Sequence, residues 1–191
     1  ITKYLKSHVT DTQANLLSDY VLLLEKWNKA YNLTAIRSID EMLVKHILDS
    51  LSIRDYIEGD SILDVGTGAG LPGIPLAIIF PEKQFTLLDS NGKKTRFLTQ
   101  AIHELGLKNV TVIHDRIENA KGQFDIIVSR AFTEFKRFVE LTMPLLKVNG
   151  CLLAMKGEWN PKILVEFPIA QCIELNIQGL NAKRCLIKLK K

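Results

Sequence analysis

Apolar residues at Leu17, Tyr20, Val21, Leu24, Trp27 and Tyr31 recur every three or four positions, the stripe of an amphipathic helix. Thr10-x-x-Gln13, just ahead of that stripe, has the form of a capping box. Its hydroxyl and amide satisfy each other's backbone N–H groups, so the helix is predicted to begin there. Ser38-x-x-Glu41 offers a second box and opens a helix with Leu43, Ile47, Leu48 and Leu51 on its buried side. From residue 61 the period changes. Short runs rich in Val, Ile, Leu and Phe at 61–65, 84–88, 110–114, 124–129 and 151–155 predict buried strands, with helices at about 71–80, 92–105 and 133–146 between them. Such alternation builds a mostly parallel sheet covered on both faces. The end differs, because runs at 170–175 and 185–189 are joined by a short polar stretch containing Gly179. They predict a hairpin, and hence a seven-stranded sheet whose last strand is antiparallel.

No repeat, low-complexity tract or Gly/Ser/Pro-rich linker interrupts the 191 residues. The chain therefore reads as one cooperative unit: residues 1–60 a helical extension packed on the core, residues 61–191 an α/β domain. Hydrophobic residues at 47% and charged residues at 24% exclude a disordered or collagen-like chain. The longest apolar runs fall far short of the ~20 residues of a spanning helix. The chain opens at Ile1 rather than Met, so a few leading residues are expected ahead of it, and no secretory leader pattern is visible. Cys151, Cys172 and Cys185 form no Cys-x-x-Cys pair and are expected as reduced core residues of a cytoplasmic protein. The net charge of +4 is uneven. Residues 1–60 hold seven Lys/Arg against nine Asp/Glu, whereas residues 61–191 hold eighteen against twelve, a surplus compatible with a polyanionic partner. Lys188, Lys190 and Lys191 would also protect a sheet edge from aggregation.

Chemistry enters at Asp64-Val65-Gly66-Thr67-Gly68-Ala69-Gly70, which joins the first strand to a helix. Glycines at such a turn take positive φ and let backbone approach a ligand. A dinucleotide fingerprint G-x-G-x-x-G/A begun at Gly66 fails at Leu71. A phosphate-binding loop with its end glycines at Gly68 and Gly73 fails because Ile74 and Pro75 stand where Lys and Ser/Thr are required. The surviving candidate is S-adenosylmethionine. Anionic Asp64 suits the ammonium and sulfonium of that cofactor, and Gly66 and Gly68 give it close backbone approach. Asp89 closes the second strand, where it suits ribose hydroxyls. Ile117 and Glu118, past the third, suit the face and edge of adenine.

The same loop continues as Leu71-Pro72-Gly73-Ile74-Pro75. With the run Trp27 to Thr34, His46-x-x-Asp49-Ser50-Leu51, Leu88-Asp89-Ser90, Lys93-Lys94, Phe97-Leu98, Ser129-Arg130-Ala131-Phe132 and Lys156-Gly157, the chain resembles the bacterial small-subunit rRNA methyltransferase G family, also called glucose-inhibited division protein B, from about residue 10 onward. The resemblance implies a Rossmann-like S-adenosylmethionine-dependent methyltransferase fold. It implies a monomer acting on 16S rRNA or the 30S subunit, with methyl transfer to N7 of guanine 527 in the 530 loop. It also implies cofactor contacts at Gly66, Leu71, Ile117, Glu118 and Arg130.

Guanine N7 carries a lone pair and no proton, so no general base is required. The fourth strand accordingly ends in Ser129 and Arg130, without an Asn/Asp-Pro-Pro-Tyr/Phe loop or a nucleophilic cysteine. Arg130 is the nearest catalytic candidate, ahead of the alternative that it pairs with a structural carboxylate. Lys93, Lys94, Arg96, Lys136 and Lys156 are candidate RNA contacts at the cleft mouth. His46 and Asp49, one helical turn apart, are expected to bond each other and fasten the N-terminal helices to the sheet. Trp27 and Tyr31 are expected in the core, with Asn28, Lys29 and Asn32 beside them as RNA or loop-ordering residues. No metal site is expected. The alternatives are a small-molecule methyltransferase and a non-catalytic factor that binds cofactor and rRNA.

Overall fold

The structure, a computed structural model, describes residue 5, residues 9–158 and residues 162–191. Helix α1 spans Asp11–Tyr31 and starts as the sequence requires: Thr10 accepts from Gln13 N, and the Gln13 side chain accepts from Thr10 N. The second helical stretch departs from its reading. Ser38 makes no side-chain cap bond; α2 (Ile39–Met42) passes into a π-helical turn at Leu43–Leu48 and resumes as α3 (Asp49–Leu51). The apolar positions predicted for its inner side, Leu43, Ile47, Leu48 and Leu51, are all buried.

Seven strands follow: β1 (Ser61–Val65), β2 (Gln84–Asp89), β3 (Val110–His114), β4 (Phe124–Arg130), β5 (Leu146–Lys156), β6 (Gln171–Glu174) and β7 (Cys185–Lys190). Between them lie α4 (Gly73–Ile79), α5 (Gly92–Leu105), α6 (Phe135–Thr142) and α7 (Lys162–Glu166). The sheet order is β3-β2-β1-β4-β5-β7-β6. All pairs are parallel except those of β7, which runs antiparallel to β5 and to β6. The last strand therefore lies inside the sheet, and β6 is the edge. This corrects the role of the terminal lysines: Lys188 turns to Glu58 at 3.1 Å rather than guarding an edge.

The two-residue period of the strands sorts the core onto two faces. Leu63, Val65, Ile127, Leu152 and Ala154 pack with Phe135, Phe138 and Val139 of α6. Ile62, Ile126, Val128 and Leu153 pack on the other face with Leu76 and Ala77 of α4. Leu17, Tyr20, Val21 and Leu24 of α1 share one cluster with Leu87, Phe97, Leu98 and Ala101, so the N-terminal helix is laid over α4 and α5. Tyr31 is not a core residue as expected. It is 38% exposed and stacks on half-buried Trp27 at 5.0 Å between ring centroids. Cys151 and Cys185 are buried and Cys172 is half-buried, all three as free thiols.

Because strand order reverses between β1 and β4, a crevice opens at their carboxyl ends, where open α/β sheets place their ligands.

Candidate active site

The loop leaving β1 is held from below. Gly66 N and Thr67 N donate to Leu88 O at 2.8 and 3.1 Å, and Gly66, Gly68 and Gly70 take φ of 66°, 63° and 93°. Gly68 N donates to Asp89 Oδ2 at 2.9 Å, tying the loop to the end of β2. Asp64 is wholly buried. Its Oδ2 accepts from Thr67 Oγ1 (2.6 Å) and Gly73 N (2.8 Å), while Oδ1 is the one buried side-chain polar atom without a partner among the described residues. Burial raises its pKa to about 6, against the pull of those hydrogen bonds. From α1, the buried Tyr20 hydroxyl donates to Ala69 O at 2.6 Å, and burial keeps that phenol protonated.

Above this loop lies a cleft of about 380 Å³. Gly66 and Asp89 bound it on one side, Ile117 and Glu118 on another, and Ala131 and Phe132 on the β4 side. Asp89 is fixed by Gly68 N, by Asn91 N at 2.8 Å and by Lys94 Nζ at 3.7 Å. A Cβ on Gly66 would stand 2.4 Å from the Phe132 ring, whereas one on Gly68 would meet nothing closer than 3.9 Å. At Gly68, then, it is the positive φ together with open space that suits close approach by a ligand.

The predicted site residues divide accordingly. Gly66, Asp89, Ile117 and Glu118 line the cleft. Asp64 does not face it: a carboxylate expected to meet the cofactor's cation instead braces the loop from beneath. Leu71, 4% exposed, packs into the core under α1 and offers the cleft no side chain. Lys94, expected at the mouth as an RNA contact, lies inside the cleft beside Asp89. Lys93 and Arg96 are exposed on α5, and Lys136 is paired with Glu166 on the surface at 2.9 Å. Lys156 donates to Thr133 O, and burial lowers its pKa.

Arg130 departs furthest from expectation. Its NH1 donates to Asp49 Oδ2 and to Lys45 O, each at 3.0 Å, and its NH2 lies 3.5 Å from His46 Nδ1. The alternative weighed for it, pairing with a structural carboxylate, describes what the guanidinium does. Asp49 Oδ1 accepts in turn from Arg184 Nε at 3.1 Å, a partner 135 positions away for which the sequence carried no signal. His46 and Asp49 do not bond each other; they meet through Arg130, which ties the second helical stretch to the end of β4, the fastening expected of them. His46 Nε2 lies 2.8 Å from Thr34 Oγ1. Burial, assisted by Arg130, lowers the His46 pKa to about 4, so the ring is neutral at pH 7. Asn28 has the loop-ordering role foreseen for it: Oδ1 accepts from Thr34 N at 2.9 Å and Nδ2 donates to Ile36 O at 3.0 Å.

This network floors a second cavity of about 390 Å³, bounded by Ile36, Lys45, Arg130, Met155, Lys156 and Arg184. Ala131, at φ 55°, lines both cavities.

Solved structures with this architecture include an S-adenosylmethionine-dependent methyltransferase from Aquifex aeolicus. Its TM-score is 0.60 at 16% identity, covering 78% of this chain and 92% of that one. A putative caffeoyl-CoA O-methyltransferase from Staphylococcus aureus scores 0.60 at 17% identity, covering 90% and 92%. The sheet order, the glycine loop and these neighbours define the fold as that of the S-adenosylmethionine-dependent methyltransferases. Sequence comparison narrows the class. The profile of the rRNA small subunit methyltransferase G family matches residues 13–188. The protein of that name from Hydrogenovibrio crunogenus is 53% identical, over 92% of this chain and 84% of its own. That from Alteromonas mediterranea is 49% identical, over 98% and 92%. The chain belongs to the rRNA small subunit methyltransferase G family.

Proposed function

We propose that this chain transfers a methyl group from S-adenosylmethionine to N7 of a guanine in the 530 loop of 16S rRNA. What carries the reading is the ordered lining of one cleft, with Gly66 at the end of β1, Asp89 at the end of β2, and Ile117 and Glu118 past β3. Those residues fit the cofactor. Asp89 would accept from its ribose hydroxyls, the apolar Ile117 would cover adenine, Glu118 would take its amino edge, and Gly66 and Gly68 would leave room for backbone approach. When bound, the cofactor supplies an electrophilic methyl on a positively charged sulfur.

The protein's task is positioning. Asp64 and Tyr20 hold the loop, and Phe132 and Ile117 give the cleft its apolar lining. N7 presents a lone pair, so no side chain must remove a proton. The cationic surplus of residues 61–191 supports an RNA acceptor, with Lys93, Arg96 and Lys136 on the outer face and Lys156 nearer the site. The setting proposed is the cytoplasm, with the 30S particle as partner; no described helix is long and apolar enough to cross a membrane.

The test incubates the protein with radiolabelled S-adenosylmethionine and 30S subunits from cells lacking the modification, then maps N7-methylguanine by borohydride and aniline cleavage. Label at a single guanine of the 530 loop is expected. Cofactor binding without label would move the acceptor to a small molecule or leave a binding factor.

A further inference from the structure

The second cavity lies beside the cleft lined by Gly66, Asp89, Ile117 and Glu118, and it is more elaborately built. Its floor is a carboxylate, Asp49, with a side chain only 3% exposed and both oxygens taken by arginines. Its wall contains the π turn at Leu43–Leu48, which presents Lys45 O to Arg130. π turns sit frequently at functional sites, because they re-aim groups that an α-helix would direct elsewhere. Its volume lies within the range of small-ligand sites, about 300–1,000 Å³. One residue, Ala131, separates it from the cofactor cleft.

We infer that this cavity receives the target guanine turned out of its stack, and that Lys156 selects guanine by donating to O6. The inference rests on the guanine-N7 reading above. An enzyme that alters one base acts on a single-stranded base or turns it out of its stack, and reads it in a pocket. With Asp49 saturated and Lys45 paired with Glu41, the chemistry left to this lining is that of donors: Lys156 and the remaining N–H groups of Arg130 and Arg184. Among purines, guanine carries an acceptor, O6, next to N7, where adenine carries a donor, N6. Lys156 ends β5 and bonds Thr133 O, two residues beyond Ala131, so its ammonium is at the boundary between the cavities, where the N7–O6 edge must point. One of its three protons is committed to Thr133, and the others serve a ligand. A lining of donors turned on adenine's amino group would leave buried polar groups unpaired, the arrangement that gives strong rejection.

The test uses 30S particles reconstituted with guanine, inosine or 2-aminopurine at the target position. Inosine keeps O6 and 2-aminopurine lacks it, while all three keep N7. Wild-type protein is expected to methylate inosine nearly as well as guanine and 2-aminopurine about ten- to a hundred-fold more slowly. Lys156→Met should lose that factor on guanine and nothing further on 2-aminopurine, with Lys156→Arg restoring part of it. S-adenosylmethionine affinity, read by calorimetry, should stay unchanged in both variants. Equal wild-type rates on guanine and 2-aminopurine would overturn the proposal without any mutation. So would an equal loss by Lys156→Met on both, which would mark a loop-holding lysine. No label on the guanine particle, with cofactor still bound, would instead overturn the reading beneath it.

Discussion

At Gly66 a side chain is refused twice, by φ of 66° and by the Phe132 ring 2.4 Å from the place of a Cβ. Gly66→Ala should therefore lose S-adenosylmethionine affinity by at least tenfold in calorimetry and cost on the order of 1–2 kcal/mol of stability for the left-handed backbone alone. Asp125 makes the complementary case. Burial would raise its pKa, but the Ser61 hydroxyl, Lys147, and the Ser61 and Asp60 N–H groups outweigh it and hold the carboxyl well below its usual range. A depressed carboxyl pKa means stability that is complete above the unfolded value near 3.8 and is lost as pH falls below it. Asp125→Asn should be less stable at pH 7 by about 1–3 kcal/mol and show a flatter acid limb in urea titrations between about pH 5 and 2. Residue identities were legible where a pattern announces them: Gly66, Asp89, Ile117 and Glu118 were placed by their position after successive strands. The protein partners of Asp64 and Arg130 are not legible, because sequence shows a charge without showing what it bonds. Thr67 and Gly73 claim the first, Asp49 the second.

At the scale of elements, the two capping boxes separate sequence form from structural fact. Thr10 and Gln13 exchange both bonds, so Thr10→Ala is expected to cost about 1 kcal/mol in urea denaturation. Ser38 caps nothing with its side chain, and Ser38→Ala should remain within about 0.5 kcal/mol of wild type in the same measurement. Strands 61–65 and 110–114 match the structure to the residue; the first is the buried run expected, whereas β3 lies at the other edge of the sheet with none of its residues fully buried, against the buried strand expected there. Helix α6 was read too long: its last residues become a 3₁₀ turn at Met143–Leu145 containing Pro144, which cannot donate to the ladder. The π turn was invisible, since the apolar spacing of Leu43, Ile47, Leu48 and Leu51 suits an α-helix equally well and only tertiary partners select the wider turn.

For the whole molecule, the decisive fact is that α1 has no core of its own. Leu17, Tyr20, Val21 and Leu24 belong to a cluster that takes in Met42, Leu43, Ile47 and Leu51 of the second helical stretch and runs on without a break into Leu87 of β2, Ile74 and Ile78 of α4 and Phe97 and Leu98 of α5. We expect a single unfolding transition, with far-ultraviolet circular dichroism and tryptophan fluorescence coinciding in urea. Two separated transitions would show that residues 1–60 form a unit apart. The mostly parallel sheet is legible in the alternation and the terminal hairpin in the Gly-containing link, but no local signal orders the strands or sets Arg184 beside Asp49.

The π turn at Leu43–Leu48 makes this stretch sensitive to its length more than to its composition. Each α-helical residue turns the chain by about 100°. A π turn closes i→i+5 and so already holds one residue more than an α turn. Deleting one residue from 43–48 would let the segment close into an ordinary helix with both flanks kept in register. Inserting one more would instead swing Asp49 by about 100°, away from the two arginines that reach it from β4 and from just before β7, and unlatch the N-terminal helices from the far end of the chain.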